Sequence, residues 1–203
     1  MTIIGITGIS GSGKTTVTRM LAGMGGYTVE ADPLAHELMK KGKPAYKDIV
    51  AAFGAGILDG SGEIHRPALG KIVFEDKEKL AELEGIIHPQ VAALTMAMIA
   101  QARITGRYKF AVIDAPLLIE AGMHKHCHSC WLVTASHPVR LARIMARDNI
   151  TREAAEKRLA SRPGDDALKP YADVIIENDS DSVADLINQV EEALKITSQG
   201  VTQ

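Results

Sequence analysis

Ile3-Ile4-Gly5-Ile6-Thr7-Gly8-Ile9-Ser10-Gly11-Ser12-Gly13-Lys14-Thr15 is the stretch that decides how this chain is read. Its first five residues are a short β-rich apolar run, the pattern of a parallel strand covered on both faces. From Gly8 to Thr15 the letters satisfy G-x-x-x-x-G-K-[ST] in full, and Thr15 to Gly23 continues as a helix with Val17, Met20 and Leu21 on one side. Strand, glycine-rich turn and helix in that order are the context in which this pattern cradles phosphates. The glycines leave successive backbone N–H groups uncovered, and the helix that follows aims its positive end at the ligand. Lys14, solvent-facing without a ligand, is expected to reach the β- and γ-phosphates, and the Thr15 hydroxyl to ligate Mg²⁺.

Moving outward, Tyr27-Thr28-Val29 reads as a second strand, and Asp32-Pro33 as the opening of a helix with Asp32 at the N-cap and Pro33 at the first helical position. Asp32 also lies just past that strand, beside the phosphate loop in a sheet that switches direction there, where a carboxylate can take the proton of an attacking hydroxyl. Cap and base are both open, and they are compatible. Residues 34–105 read as almost wholly helical, with breaks at Gly42 to Pro44, Phe53 to Arg66 and His88-Pro89, which suggests a helical insertion on one side of the sheet. Asp59-Gly60-Ser61-Gly62 reads as a turn between helices.

Phe110 to Asp114 and Trp131 to Thr134 are further apolar strands. Asp114, followed by Ala115-Pro116, suits an acid near Mg²⁺ through water, although an aspartate at a strand end is also ordinary turn chemistry. Pro138 to Asp148 is amphipathic, with Leu141, Ile144 and Met145 on one face and Arg140, Arg143 and Arg147 on the other; Arg158 and Arg162 follow. A row of like charges either faces water or awaits an anion. In a phosphoryl-transfer enzyme it reads as a lid, with Arg143 and Arg147 lowered onto the moving group. Asp173 to Ile176 is a last strand, and Ser182-x-x-Asp185 resembles a capping box opening a helix with Val183, Leu186, Ile187, Val190 and Leu194 inside. This alternation implies an α/β fold: a mainly parallel sheet flanked by helices.

At 203 residues the chain suits one compact domain with a small inserted part. Its formal charge of −2 argues against a nucleic-acid surface spread over the fold, and hydrophobic residues at 46% with charged residues at 24% are an ordinary soluble mix. No apolar run approaches the roughly 18 residues of a membrane span, and the N-terminus lacks the features of a signal peptide. Cys127 and Cys130 are the two cysteines, which fits a reducing, cytoplasmic setting. His124 to Cys130 gathers potential metal ligands in one loop, but zinc sites draw paired ligands from two separated segments, so no specific zinc site is expected. The sequence has no Asn-Lys dipeptide for a guanine-reading motif, and an ATP-driven machine would be larger and more basic. Small-molecule kinases remain.

These residues together resemble the dephospho-CoA kinase family, from Ile3 to about Leu194. The similarity includes Ile6-Thr7-Gly8 with the phosphate loop, Ala31-Asp32-Pro33-Leu34-Ala35, Phe53-Gly54, Ile57-Leu58-Asp59, Arg66 with Leu69, Ile72-Val73-Phe74 and Ile87-His88-Pro89. It continues through Asp114-Ala115-Pro116-Leu117-Leu118-Ile119-Glu120, Arg143-x-x-x-Arg147-Asp148 and Ala172 to Asn178. The resemblance implies a P-loop kinase that uses ATP and Mg²⁺ to phosphorylate the ribose 3′-hydroxyl of dephospho-CoA. It implies one domain over 1–203: a core of about 1–32, 106–136 and 170–203, a helical acceptor-binding part of about 33–105, and a lid of about 137–169. Asp32 becomes the catalytic base, with Lys14, Arg143 and Arg147 as its catalytic partners. ATP falls on Gly11, Ser12, Gly13, Lys14, Thr15 and Thr16, and Mg²⁺ on Thr15 and Asp114. Arg66, His88, Pro116 and Leu117 fall at the acceptor. A monomer with no nucleic-acid or membrane partner is expected. His36 stands where many members carry Arg, and Arg162 where a Gln is expected.

Overall fold

Five strands, β1 (Thr2–Thr7), β2 (Gly26–Glu30), β3 (Phe110–Asp114), β4 (Ser129–Thr134) and β5 (Val174–Glu177), form one sheet in the order β2-β3-β1-β4-β5. The chain, seen in a computed structural model, is described over residues 1–160, 164–180 and 182–200. It divides into two units: residues 1–29 with those from 101 onward, and residues 30–100. β1 runs parallel to β3 and β4, and β5 runs parallel to β4. The register pairs Ile6 with Asp114, so the loop that leaves β1 starts beside the acid that ends β3.

All five residues of β3 are buried, with no alternation, because helices cover both faces of the sheet. On one face, α1 (Lys14–Gly23) brings Val17 and Leu21, and α9 (Val183–Gly200) brings Leu186, Val190 and Ala193. They pack on Ile4, Ile6, Val112, Trp131, Val133 and Ile176. Trp131 is wholly buried there, and its indole N–H lies 3.1 Å from both Ser129 Oγ and Thr197 Oγ1. The Ser182 hydroxyl accepts from the Asp185 N–H at 3.2 Å, as the capping pattern required, while Val183 is exposed rather than inside. On the other face, Leu132 packs with Ile9 and with Leu168 of the short helix α8 (Asp165–Leu168).

The amphipathic segment forms α6 (His137–Asp148), which ends on Asn149 in the left-handed region and is followed by α7 (Arg152–Ala160). Leu141 and Ile144 pack against Ala155, with Met145, Ile150 and Leu159 around them. Arg162 lies outside the described residues.

Residues 30–100 hold α2 (Ala31–Leu38), α3 (Pro44–Phe53), α4 (Arg66–Glu75) and most of α5 (Lys77–Thr105). The Asp59–Gly62 turn is as read: Asp59 Oδ1 accepts from the N–H groups of Ser61 and Glu63 at 2.8 and 3.1 Å.

Four expectations change. Asp32 is not the N-cap of its helix. Glu30, in extended backbone and with no side-chain cap bond, holds that position, and Asp32 sits in the first turn of α2. There its carboxylate keeps only the favourable alignment with the helix dipole. At His88-Pro89 the helix does not break. Proline removes one N–H donor, but the carbonyl so deprived belongs to exposed Gly85, open to water, while Val91, Thr95 and Ile99 keep one stripe buried. A break stands instead at Asp76, whose carboxylate accepts from the N–H groups of Glu78 and Lys79 at 2.8 and 3.2 Å and caps α5. Finally, α5 is long and apolar enough to cross a membrane by length and composition alone, because His88, Gln90 and Thr95 interrupt it without making it polar. Of its apolar window, 17% is buried, and one such helix is by itself weak evidence of a span.

Candidate active site

The loop between β1 and α1 is held by its own backbone. Ser12 N–H bonds to the Ile9 carbonyl at 3.1 Å, and the Gly13 carbonyl accepts from Thr16 N–H at 2.9 Å. Gly11 and Gly13 have φ of 82° and 89°, a region costly to residues with a Cβ. Each is also crowded: a Cβ on Gly11 would lie 2.7 Å from the Arg140 carbonyl oxygen, and one on Gly13 would collide with the Asn178 amide. The glycines therefore allow both the curl of the loop and the approach of α6 and Asn178. Thr15 and Thr16 are exposed in the first turn of α1, where hydroxyls can reach a metal–phosphate complex.

Lys14 is not solvent-facing. Its ammonium forms an ion pair with Asp114 Oδ1, and the two side chains are 15% and 6% exposed. Thr18 Oγ1 lies 2.8 Å from the other Asp114 oxygen. Thus Asp114, which lies next to Ile6 through the strand register, faces the phosphate loop and not a turn.

The arginine face of α6 meets the same loop. Arg143 Nη1 donates to the Asn178 carbonyl at 2.9 Å and to the Gly11 carbonyl at 3.4 Å. Arg147 Nη2 donates to Ser10 Oγ at 3.3 Å, and its Nε donates to Asp148 at 2.8 Å. Asp148 also accepts from Arg158 at 2.6 Å. The hydrogen bond from Arg147 holds the Asp148 carboxyl below its ordinary value and pushes the guanidinium of Arg147 up. Arg140 instead pairs with Asp165 at 3.3 Å.

Among the residues singled out from sequence, Lys14, Asp114, Arg143 and Arg147 are thereby brought onto one loop, with Thr15 and Thr16 at its exposed end. Pro116 follows β3, and its carbonyl accepts from the Thr7 hydroxyl at 3.3 Å; Leu117 is half-buried beside it. Asp32, Arg66 and His88 belong to residues 30–100, where Asp32 and Arg66 are exposed and His88 is half-buried. Sequence reasoning missed Thr18 and Asn178. Thr18 is the residue one helical turn after Lys14, a signal that was available; Asn178 gave no local signal for its contact with Ser12.

Cys130, in β4, has its Sγ near the His124 carbonyl at 3.9 Å, and Cys127, in the loop before it, has its Sγ near the Met123 carbonyl at 3.5 Å. Burial and the hydrogen bond with Cys130 push the Cys127 thiol up, with that hydrogen bond the larger cause. Among the described residues no group of three or more His, Cys, Asp or Glu side chains is arranged to hold a metal.

The glycine cradle, the exposed Thr15 and the strand-end Asp114 fit Mg²⁺ with a nucleoside triphosphate: donors for phosphate oxygens on one side and hard oxygen ligands on the other.

Comparison with known proteins agrees with this chemistry. The family model described as dephospho-CoA kinase matches residues 2–184. Dephospho-CoA kinase of Moorella thermoacetica is 40% identical over 181 residues, 89% of this chain and 85% of that protein. The solved structure of TT1252 from Thermus thermophilus matches with a TM-score of 0.79 at 30% identity, covering 100% of this chain and 98% of the other. Dephospho-CoA kinase from Campylobacter jejuni matches with a TM-score of 0.65 at 27% identity, covering 98% of each chain.

Proposed function

The chain belongs to the dephospho-CoA kinase family, and we infer that its phosphate loop serves that family's reaction, the transfer of the γ-phosphoryl group of ATP, with Mg²⁺, onto dephospho-CoA to give coenzyme A. The observation that carries this reading is the family match over residues 2–184, joined to a complete loop with Lys14 and Asp114 beside it. The acceptor atom is the ribose 3′-oxygen. Its lone pair forms the new O–P bond as the bond between the γ-phosphorus and the β,γ-bridging oxygen breaks, and ADP leaves.

The residues divide this work as follows. Backbone N–H groups of residues 11–16 hold the phosphates, and Lys14 moves from Asp114 to the β- and γ-phosphate oxygens. Thr15 and Asp114 would hold Mg²⁺, which would supply charge neutralisation at the β- and γ-oxygens. Arg143 and Arg147 approach the equatorial oxygens of the moving group, where charge is spread in the transition state. Asp32 takes the 3′-hydroxyl proton and later passes it to water. Arg66 and His88, in a helical acceptor-binding part of about residues 33–105, bind the acceptor together with Pro116 and Leu117, and the lid is about residues 137–169. The chain acts as a monomer in the cytoplasm, without nucleic-acid or membrane partners; its formal charge of −2 and its two free cysteines support that setting.

ADP release measured with dephospho-CoA, AMP, CMP and shikimate in parallel tests the acceptor. Dephospho-CoA should be turned over fastest. Faster turnover of AMP or CMP would make the chain a nucleotide kinase, and nucleotide binding without turnover of any acceptor would make it a regulator.

A further inference from the structure

Asn178, the first residue past β5, is 7% exposed and carries no part in the reaction as derived above. Its backbone N–H donates to the Thr134 carbonyl at 2.9 Å, which ties it to the end of β4. Its side-chain Nδ2 donates to the Ser12 carbonyl at 2.9 Å, across 166 residues of sequence. Its own carbonyl accepts from Arg143 at 2.9 Å. One buried residue, fixed by the sheet, thus holds both a carbonyl of the phosphate loop and an arginine of α6.

The geometry of the peptide unit gives the Ser12 contact its meaning. The Ser12 carbonyl and the Gly13 N–H share one plane and point in opposite directions. Pinning the carbonyl on Asn178 therefore aims the Gly13 N–H away from Asn178, into the cradle. Gly13, with φ of 89° and no Cβ, has a soft backbone that would otherwise let this plane rotate. A donor fixed before the ligand arrives binds anionic oxygens without a reorganisation cost.

We propose that Asn178 is a positioning residue for ATP: its amide sets the direction of the Gly13 N–H, and its carbonyl docks Arg143 over the same loop. It touches neither phosphate nor acceptor. The inference rests on the phosphate-loop reading above but not on the identity of the acceptor.

The test uses the full chain as wild type, Asn178→Ala and Asn178→Asp. The quantities are the dissociation constant of Mg²⁺–ADP by calorimetry, KM for ATP, KM for dephospho-CoA and kcat. Losing one hydrogen bond should weaken ADP binding and raise KM for ATP about tenfold in Asn178→Ala, with KM for dephospho-CoA unchanged. Asn178→Asp keeps the shape but turns a carboxylate toward the Ser12 carbonyl, so its defect at pH 8 should be larger. That defect should shrink as the pH falls and the carboxyl regains a donor proton. Unchanged nucleotide constants in Asn178→Ala, with kcat reduced only in proportion to the folded fraction, would make the residue merely structural. A pH-independent defect in Asn178→Asp would overturn the proposal as well, and this variant decides if the alanine variant does not fold. Wild type that binds ADP but leaves dephospho-CoA unphosphorylated would overturn the acceptor reading and leave the ADP comparison standing.

Discussion

Asp114 holds Lys14 by an ion pair on one carboxylate oxygen and meets the Thr18 hydroxyl on the other. In this state the lysine proposed for the phosphates is neutralised by the acid proposed for the metal. On the proposed function, ATP would take Lys14 from this pair and Mg²⁺ would take Asp114, so the two would have to arrive together.

Lys14→Ala should therefore do two things. Transfer should fall by a factor on the order of 10²–10³ or more, since the charge positioned on the β- and γ-phosphates is lost. Stability should also fall, on the order of 1–3 kcal/mol, because Asp114 is left buried with its Thr18 contact and without its counter-charge. Turnover assays and thermal melts check the two effects separately. Near-normal turnover would remove the phosphate-loop assignment, and an unchanged melting temperature would remove the structural role of the pair.

Asp32→Asn tests the base. Because Asp32 lies inside the first turn of α2 and not at its N-cap, its replacement should cost only a few tenths of a kcal/mol through the helix dipole. An amide cannot take a proton, so kcat should drop by roughly 10²–10⁴ while acceptor binding hardly changes. If the variant turned over at the wild-type rate, the base would have to be another carboxylate, with Glu30 and Asp114 the next to replace.

Gly11→Ala places a Cβ at φ 82°, 2.7 Å from the Arg140 carbonyl oxygen and 2.9 Å from its Cα. Backbone atoms cannot yield as a side-chain end does. The left-handed conformation alone costs about 1–2 kcal/mol. The variant should melt lower and show a raised KM for ATP as α6 is pushed off the loop. Wild-type values for both would mean that α6 is free to retreat without consequence.

Asp148→Asn should expose the pH dependence of the arginine face. The folded-state carboxyl lies below its ordinary value of 3.8, first through the hydrogen bond from Arg147 and further through the charges of Arg147 and Arg158. A depressed carboxyl contributes stability above the unfolded value, and that contribution is lost as the pH falls through the folded value. Wild type should thus outlast Asp148→Asn at pH 7, and the gap should close below about pH 3.8. Asp148 is on the surface, so high salt should narrow the gap too. A gap that is constant from pH 7 to pH 2.5 would show that charge plays no part in it.

Much of the site was legible because it is local. The residues from Gly8 to Thr15 specify their turn by themselves, and the arginines of α6 share a face through helical spacing alone. The errors arose where a local signal competes with context. Asp-Pro at 32–33 reads as cap and first position, yet the helix starts directly after Glu30, with no loop between, and takes in Ala31 and Asp32. Pro89 reads as a stop, yet buried Val91, Thr95 and Ile99 carry the helix past it. What could not be read was long-range: the Lys14–Asp114 pair and the Asn178 contact with Ser12 join residues 100 and 166 positions apart. Such pairs follow from strand order, and strand order is not written in any one window of sequence.

Trp131, the single tryptophan of the chain, has no exposed surface and shares its core with α1, α9 and four strands. Its indole N–H is shared by Ser129 and by Thr197 near the end of α9. Excited at wavelengths that the four tyrosines do not absorb, this protein therefore fluoresces from one site. A red shift on titration with denaturant reports water reaching the seam between the sheet and α9. Melting confined to residues 30–100 leaves that emission unchanged and must be followed by circular dichroism, to which their helices contribute heavily. A mismatch between the two curves would show the two units melting at different denaturant concentrations.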